Sequence, residues 1–335
     1  MNTEHKMATF KIGTTFARNS QWHQDEINLV ANIESQINRM FPTGNNLLIN
    51  TTWFGPQFDN GEYIKLSKFR NVDRLFFLAS VDPVMLNRQQ LDDISAQVGA
   101  KETYYIGNFD TDLQFTFIAT LLPKYFQNYT TEDLLLKDIK WQYIAYNRKP
   151  RPHRTELVDK LYQAKLDAYG IITLGTQYTL QEKIQDYAAG NWGMPDEYGI
   201  PHDIHSLGRL DIWQNHFLTV VGETEFNPWD NMFITEKTWK PILGLRPFLI
   251  NGQTKIYKYL RDNGFRTFTH YFDVELENVR EFEVHDSIVK AIQSMSTLDL
   301  KDLYSTMLPD LQHNRERFSE FVREQKTKIA DIFNE

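Results

Sequence analysis

The chain contains no cysteine. Disulfides, zinc–thiolate centres and thiol nucleophiles are therefore excluded, and nothing points to an oxidising compartment. It has no uninterrupted apolar run approaching a membrane span, and its first residues, MNTEHKMATF, lack the apolar core of a signal peptide. These absences predict a soluble, cytoplasmic protein with no membrane partner. A surplus of positive charge is missing too. The formal net charge of −8 argues against broad, sequence-independent binding to phosphate backbones, while leaving room for a small local basic site. No internal repeat or low-complexity tract is present.

At 335 residues the chain exceeds one comfortable core, and 41% hydrophobic content is enough for two. Apolar residues at helical spacing (Trp22, Ile27, Val30, Ile33, Ile37) predict an amphipathic helix over 19–40. Strand-like runs follow at Asn46–Asn50, Arg74–Val81 and Thr103–Gly107, with helical patterns at Asn87–Val98 and Leu113–Gln127. The alternation restarts after Lys140. Strands are expected at Trp141–Tyr146, Gly170–Leu174, Phe217–Val221 and Phe248–Ile250, and helices at Arg154–Tyr169, from Thr235, at Thr254–Arg261 and beyond Asp273. This pattern predicts an α/β fold of two Rossmann-like domains facing a cleft, with a helical C-terminal tail. The expected division is 1–135, 136–300 and a tail at 301–335 that could pack back on the first domain.

Two constellations could carry chemistry. The first follows the strand at Trp141: Asn147-Arg148-Lys149-Pro150-Arg151-Pro152-His153-Arg154. Five potentially cationic side chains thus stand at the C-terminal end of a buried strand, just before a helix. Open α/β sheets bind ligands there, a helix N-terminus adds its positive end, and the planar fork of arginine suits phosphate. Prolines 150 and 152 stiffen the turn and bar it from a helix interior. A solvated basic turn would read the same way. The second constellation is Glu223 with Thr235, Glu236 and Lys237. Glu223 ends an apolar strand and could accept hydrogen bonds from ribose or sugar hydroxyls. Thr235 is a good N-cap, Glu236 suits a first helical turn, and Lys237 places a cation where a diphosphate would rest. Thr-Glu-Lys is also simply a competent helix start. Trp239, Ile242 and Leu243 supply that helix's buried face.

Together these residues resemble glycosyltransferases of the two-domain GT-B type, and most closely the donor domain of the α1,3-fucosyltransferase family. In that family a strand ending in Phe-Glu-Asn-Ser precedes a Tyr-Val/Ile-Thr-Glu-Lys helix start and then a proline-containing strand. Here the stretch reads VVGETEFNPWDNMFITEKTWKPILGLRPFLI. Glu223 falls on the strand-end glutamate, and Thr235, Glu236 and Lys237 on the helix start. Asn147-Arg148 looks like the family's phosphate-contacting turn. Gly222 stands where the family has phenylalanine, and Thr224-Glu225 replaces Asn-Ser. The resemblance spans roughly 141–268, and no signature aligns before it. The layout is also similar to that of glycosyltransferases of bacteria and large phages, which suits a phage-encoded enzyme working in a host cytoplasm.

The resemblance implies inverting transfer of a sugar from a nucleoside diphosphate, GDP first and UDP next, to a carbohydrate or other hydroxyl. It implies no required metal or cofactor. Arg148, Arg151, Lys237 and the Thr235 helix start would offset charge on the leaving diphosphate. The base is expected from the first domain, at Asp110 or Asp112, although Asp112 also reads as an N-cap. Transfer to hydroxymethylated DNA and a non-catalytic nucleotide- or carbohydrate-binding module are the alternatives. The types His202-Asp203-x-His205 and the turn Trp53-Phe54-Gly55-Pro56 read more simply as hydrophilic loop and domain-interface turn.

Overall fold

A computed structural model describes residues 8–11, 21–50, 66, 68–79, 88–107, 122–123, 126–127, 129–147, 150–174, 207–227 and 232–332. The chain is mixed α/β, with two parallel sheets, flanking helices and a long C-terminal helix. It divides into two units, one of Met1–Thr120 with Glu324–Glu335, the other of Leu121–Arg323. Among the described residues no helix is long and apolar enough to cross a membrane.

In the first unit, strands β1 (Ala8–Lys11), β2 (Asn46–Asn50), β3 (Arg74–Ala79) and β4 (Glu102–Gly107) pair in parallel in that order. Helix α1 (Gln21–Met40) joins β1 to β2, and α2 (Arg88–Val98) precedes β4. A parallel sheet is covered on both faces, so its strands are apolar throughout. Alternate residues of β2 and β3 (Leu47, Ile49, Leu75, Phe77) form one core with Leu91, Ile94 and Val98 of α2. On the opposite face Phe76 stacks on Tyr104 at 4.9 Å, with Phe41 from the end of α1 alongside. Val30, Ile33 and Ile37 of α1 are buried as the spacing predicts, whereas Ile27 is exposed. β1 was not expected; an edge strand of four residues, ATFK, carries too short a pattern to stand out.

The second unit carries a four-stranded parallel sheet in the order β6-β5-β7-β8, from β5 (Trp141–Asn147), β6 (Gly170–Leu174), β7 (His216–Gly222) and β8 (Phe248–Asn251). Helix α3 (Thr131–Leu134) precedes β5, α4 (Pro152–Gln163) links β5 to β6, and α5 (Leu210–Trp213) leads into β7. Helix α6 (Glu236–Leu243) links β7 to β8, followed by α7 (Lys255–Asp262), α8 (Glu281–Ser294) and α9 (Leu300–Ile332). The step from β5 to β6 runs one way across the sheet and the step from β7 to β8 the other. Right-handed crossovers therefore put α4 and α6 on opposite faces, and β5 and β7 flank the switch point where such sheets bind ligands.

A buried cation fastens the sheet's outer connections. Arg246 is fully buried, with no carboxylate among its partners. Its Nε and Nη2 donate to the Trp213 carbonyl, and Nη1 donates to the carbonyls of Leu134 and Leu245 and to the Tyr304 hydroxyl. Leu134 and Trp213 end α3 and α5, so a cation meets the negative ends of two short helices. The rings of Trp213 and Tyr304 lie 5.8 and 5.5 Å from the guanidinium carbon. Burial pulls Arg246 down to about 10, and Tyr304 opposes that pull. The same network fixes Leu245, whose φ of 54° is a left-handed conformation costly for a branched residue. These bonds, with those from Gln214 to the Asp133 carbonyl, place 121–135 in the second unit. Helix α9 belongs there through Arg323, since Phe318 and Phe321 pack on Trp239 at 5.4 Å.

Replacing Arg246 by methionine keeps the stem and removes every donor. Three buried carbonyls then lose a partner, so unfolding should cost about 3–5 kcal/mol less than in the parent chain. Urea titration checks this, and a loss under about 0.5 kcal/mol, typical of an uninvolved surface site, would contradict the role.

Candidate functional site

Glu223 directly follows β7 and has no exposed surface. Its backbone carbonyl accepts three hydrogen bonds from the first turn of α4: from His153 Nε2 at 2.9 Å, Arg154 Nε at 3.1 Å and Arg154 Nη2 at 2.7 Å. A carbonyl only accepts, so His153 carries its proton on Nε2. The Glu223 carboxylate accepts four more. Oε1 receives Thr235 N–H at 3.1 Å and Thr238 Oγ1 at 2.6 Å, and Oε2 receives Thr235 Oγ1 at 2.6 Å and Thr224 N–H at 3.1 Å. One residue therefore joins the N-terminal ends of both sheet-spanning helices. All four carboxylate bonds come from the protein, so the ligand hydroxyls expected there meet a group already saturated. Glu223 frames the site.

The two helix starts differ in what they leave over. At α6, Thr235 is the N-cap and its hydroxyl accepts Lys237 N–H at 3.3 Å. Lys237 Nζ contacts Glu236 Oε1 at 2.7 Å and Thr235 Oγ1 at 3.2 Å. Burial pushes the Glu236 carboxyl up, but Lys237 and Lys240 outweigh it and hold it below the ordinary range. This end is an internally balanced start with one half-buried lysine on its rim.

The start of α4 is the reverse. Arg151 is its N-cap and makes no side-chain cap bond, Pro152 begins the helix, and the first turn holds no acid. Pro152 extends the helix two residues before the expected Arg154, as its fixed φ suits a first helical position. Cations at the positive end of a helix are electrostatically unfavourable. Arg154 is buried, and burial lowers it to about 10, with Glu223 the largest opposing influence. Arg151 reaches solvent and pairs with Glu225 at 3.0 Å.

Asn147 ends β5 and is buried. Among the described residues its side-chain oxygen finds no hydrogen-bond partner, and neither does that of Asn251 at the end of β8. Ala145 pairs with Val220, which places Asn147 opposite Gly222, and Gly222 pairs with Asn251. The two asparagines thus flank Gly222 at the C-terminal edge. A Cβ on Gly222 would lie 2.2 Å from Asn147 Oδ1, so Asn147 occupies the place a side chain would take.

The structure therefore brings together Asn147, Arg151, Glu223, Thr235, Glu236 and Lys237. Arg148, Asp110 and Asp112 lie outside the described residues, as do Lys149, Trp53–Pro56 and the residues His202, Asp203 and His205. Among the described residues no cluster of three or more His, Asp or Glu could hold a metal ion. The sequence reading missed Phe226, whose ring is sandwiched between His153 at 5.0 Å and His285 at 5.2 Å, nearly parallel to both. His285 lies some sixty residues away on α8, so no local spacing signals the stack.

Glu223→Gln preserves shape but offers one acceptor oxygen to four donors. Stability should fall by about 2–4 kcal/mol, measured as a lower denaturant midpoint with an unchanged slope. Acid should loosen the same unit. Burial pushes His153 down to about 4, His216 well below its ordinary value, and His285 down against the opposing Glu156. Each favours its neutral form when folded, so this contribution is complete above about pH 6.5, the value in an unfolded chain, and is lost as pH falls towards the folded values. His153 alone should account for about 3 kcal/mol at the acid end. Urea midpoints at pH 7.5, 5.5 and 4.5 read this directly, and a flat profile would contradict it.

Comparison with known proteins returns no matching family model, no matching curated protein and no matching solved structure.

Proposed function

We propose that the chain is a glycosyltransferase that moves a sugar from a nucleoside-diphosphate sugar to an acceptor hydroxyl with inversion. A GDP-sugar is favoured, with UDP next. On this reading the two units are the halves of a GT-B-type enzyme, and the second holds the donor. The observation that carries it is the α4 start. An arginine N-cap, a second arginine three residues on and no acid in the first turn stand beside the switch point of a parallel sheet. Arg154 serves the fold by donating to the Glu223 carbonyl. The fold gains little from an arginine N-cap that makes no cap bond, whereas a bound diphosphate would use that charge together with the helix's positive end. Arg148 and Lys149 adjoin that start in sequence and add to the same charge.

In the reaction the acceptor oxygen bonds to the anomeric carbon as the carbon–oxygen bond to the diphosphate breaks. The electron pair leaves with the nucleoside diphosphate, and the acceptor's proton passes to a base, with Asp110 and Asp112 as candidates. Arg151 and Lys237, with Arg148, counter the charge growing on the leaving group, and the start of α6 adds its dipole. Glu236 orients Lys237 through their 2.7 Å contact. Glu223 holds the two helix starts at fixed separation, which positions cations before the ligand arrives.

Thermal unfolding against GDP-, UDP-, ADP-, CMP- and dTDP-sugars, with and without divalent metal, tests the reading. A ligand bound by the folded state alone raises the midpoint. GDP-sugars should give the largest rise, and Arg151→Ala or Lys237→Ala should weaken binding about tenfold or more. No shift with any nucleotide sugar would remove the donor reading and leave a non-catalytic module.

A further inference from the structure

The segment after β7 is pinned on both sides of a single acid. Before it, Glu223 is saturated by seven hydrogen bonds, three to its carbonyl and four to its carboxylate. After it, Phe226 is inserted between the rings of His153 and His285, and the Asn227 carbonyl accepts Gln253 Nε2 at 2.7 Å. Glu225 stands between these anchors, so its position is imposed by its neighbours. From there its Oε1 meets Arg151 Nη1 at 3.0 Å. The α4 start, which carries no acid of its own, is thus supplied with one by a different strand's end.

We propose that Glu225 is a built-in counter-anion: its carboxylate holds the place at Arg151 that a ligand phosphate takes, and binding exchanges one for the other. This rests on the nucleotide-sugar reading and specifies how that site selects its ligand. Both partners are partly open to solvent, Arg151 at 37% and Glu225 at 26% of their side-chain surface, so the pair is weak enough to open. A phosphate offers several charged oxygens to the guanidinium fork where Glu225 now uses one, so the exchange favours a phosphate. A ligand with a single weak charge would not displace the carboxylate. Glu225 therefore sets a threshold of ligand charge, and it offsets the Arg151 charge until a phosphate takes its place.

Titration calorimetry with inorganic pyrophosphate on the full chain tests this, using the parent, Glu225→Gln, Arg151→Ala and the double variant. Each is first checked for parent-like unfolding, with Glu225→Ala as a second variant should the glutamine form be unstable. Removing the competing carboxylate should tighten pyrophosphate binding roughly five- to tenfold. That gain should vanish in the Arg151→Ala background, because the competition passes through Arg151. Parent binding that depends on Arg151 yet is unchanged or weakened in Glu225→Gln would overturn the counter-anion role and leave the phosphate site standing. Absence of pyrophosphate binding in parent and Glu225 variants alike would overturn both.

Discussion

Glu223 buries a carboxylate completely, and the arrangement of the second unit follows from how that group is satisfied. A buried carboxylate left without donors would cost several kcal/mol, so the fold has to bring it hydrogen bonds. They come from the far side of a connection: Thr235 and Thr238 lie twelve and fifteen residues downstream and return to it from one helical turn. The backbone oxygen of the same residue takes Arg154, a second buried charge that needs acceptors as badly as the carboxylate needs donors. Because both demands fall on one residue at the end of one strand, neither helix start can shift without stranding a charge. The separation of the two helix ends is therefore set by hydrogen-bond geometry, which tolerates errors of a few tenths of an ångström, and not by apolar packing alone.

Arg246 applies the same logic with the opposite sign at the other end of the strands. Its partners are neutral carbonyls and a hydroxyl, gathered from α3, α5, the end of α6 and α9. Glu223 lies past the C-terminal end of β7, whereas Arg246 stands just before the first residue of β8. The sheet of the second unit is consequently held by a buried anion at its C-terminal edge and a buried cation at the opposite end of its strands. Each is satisfied by dipoles instead of by the other, which leaves the solvent-reaching charges Arg151, Lys237 and Glu225 outside the structural framework and open to exchange partners.

What could be read from the sequence divides along the same line. The helices and strands with long apolar runs or clean 3.6-residue spacing were legible, because burial on both faces of a parallel sheet writes itself into consecutive residues. β5 to β8 fall within a residue or two of expectation. β1 and α5, of four residues each, were not legible. The division of the chain was hard to place for a different reason. No local pattern in 121–135 says which unit it joins, and the hydrogen bonds from Arg246 and Gln214 to the Leu134 and Asp133 carbonyls and from Arg315 to the Thr131 hydroxyl tie it to the second. The start of α6 was legible, since Thr235, Glu236 and Lys237 announce it and Thr235 is its N-cap. The hydrogen-bond role of Glu223 was not. A glutamate ending an apolar strand reads as facing a ligand, and the one local hint otherwise is a pair of threonines at i, i+3 on the helix that follows.

Gly222 and Asn147 share one space at the end of the sheet. Any side chain at position 222 would need the space that Asn147 Oδ1 fills 2.2 Å from the site of a Cβ. Glycine and asparagine therefore depend on each other: the amide fits because the side chain is absent, and the side chain is absent because the amide is there. The space that an apolar side chain could fill here holds instead a polar group whose oxygen has no hydrogen-bond partner among the described residues. Such a trade lowers stability on packing grounds, and it occurs at the end of β5, immediately before Arg148 and four residues before the arginine N-cap of α4. Packing does not account for a polar group at that position.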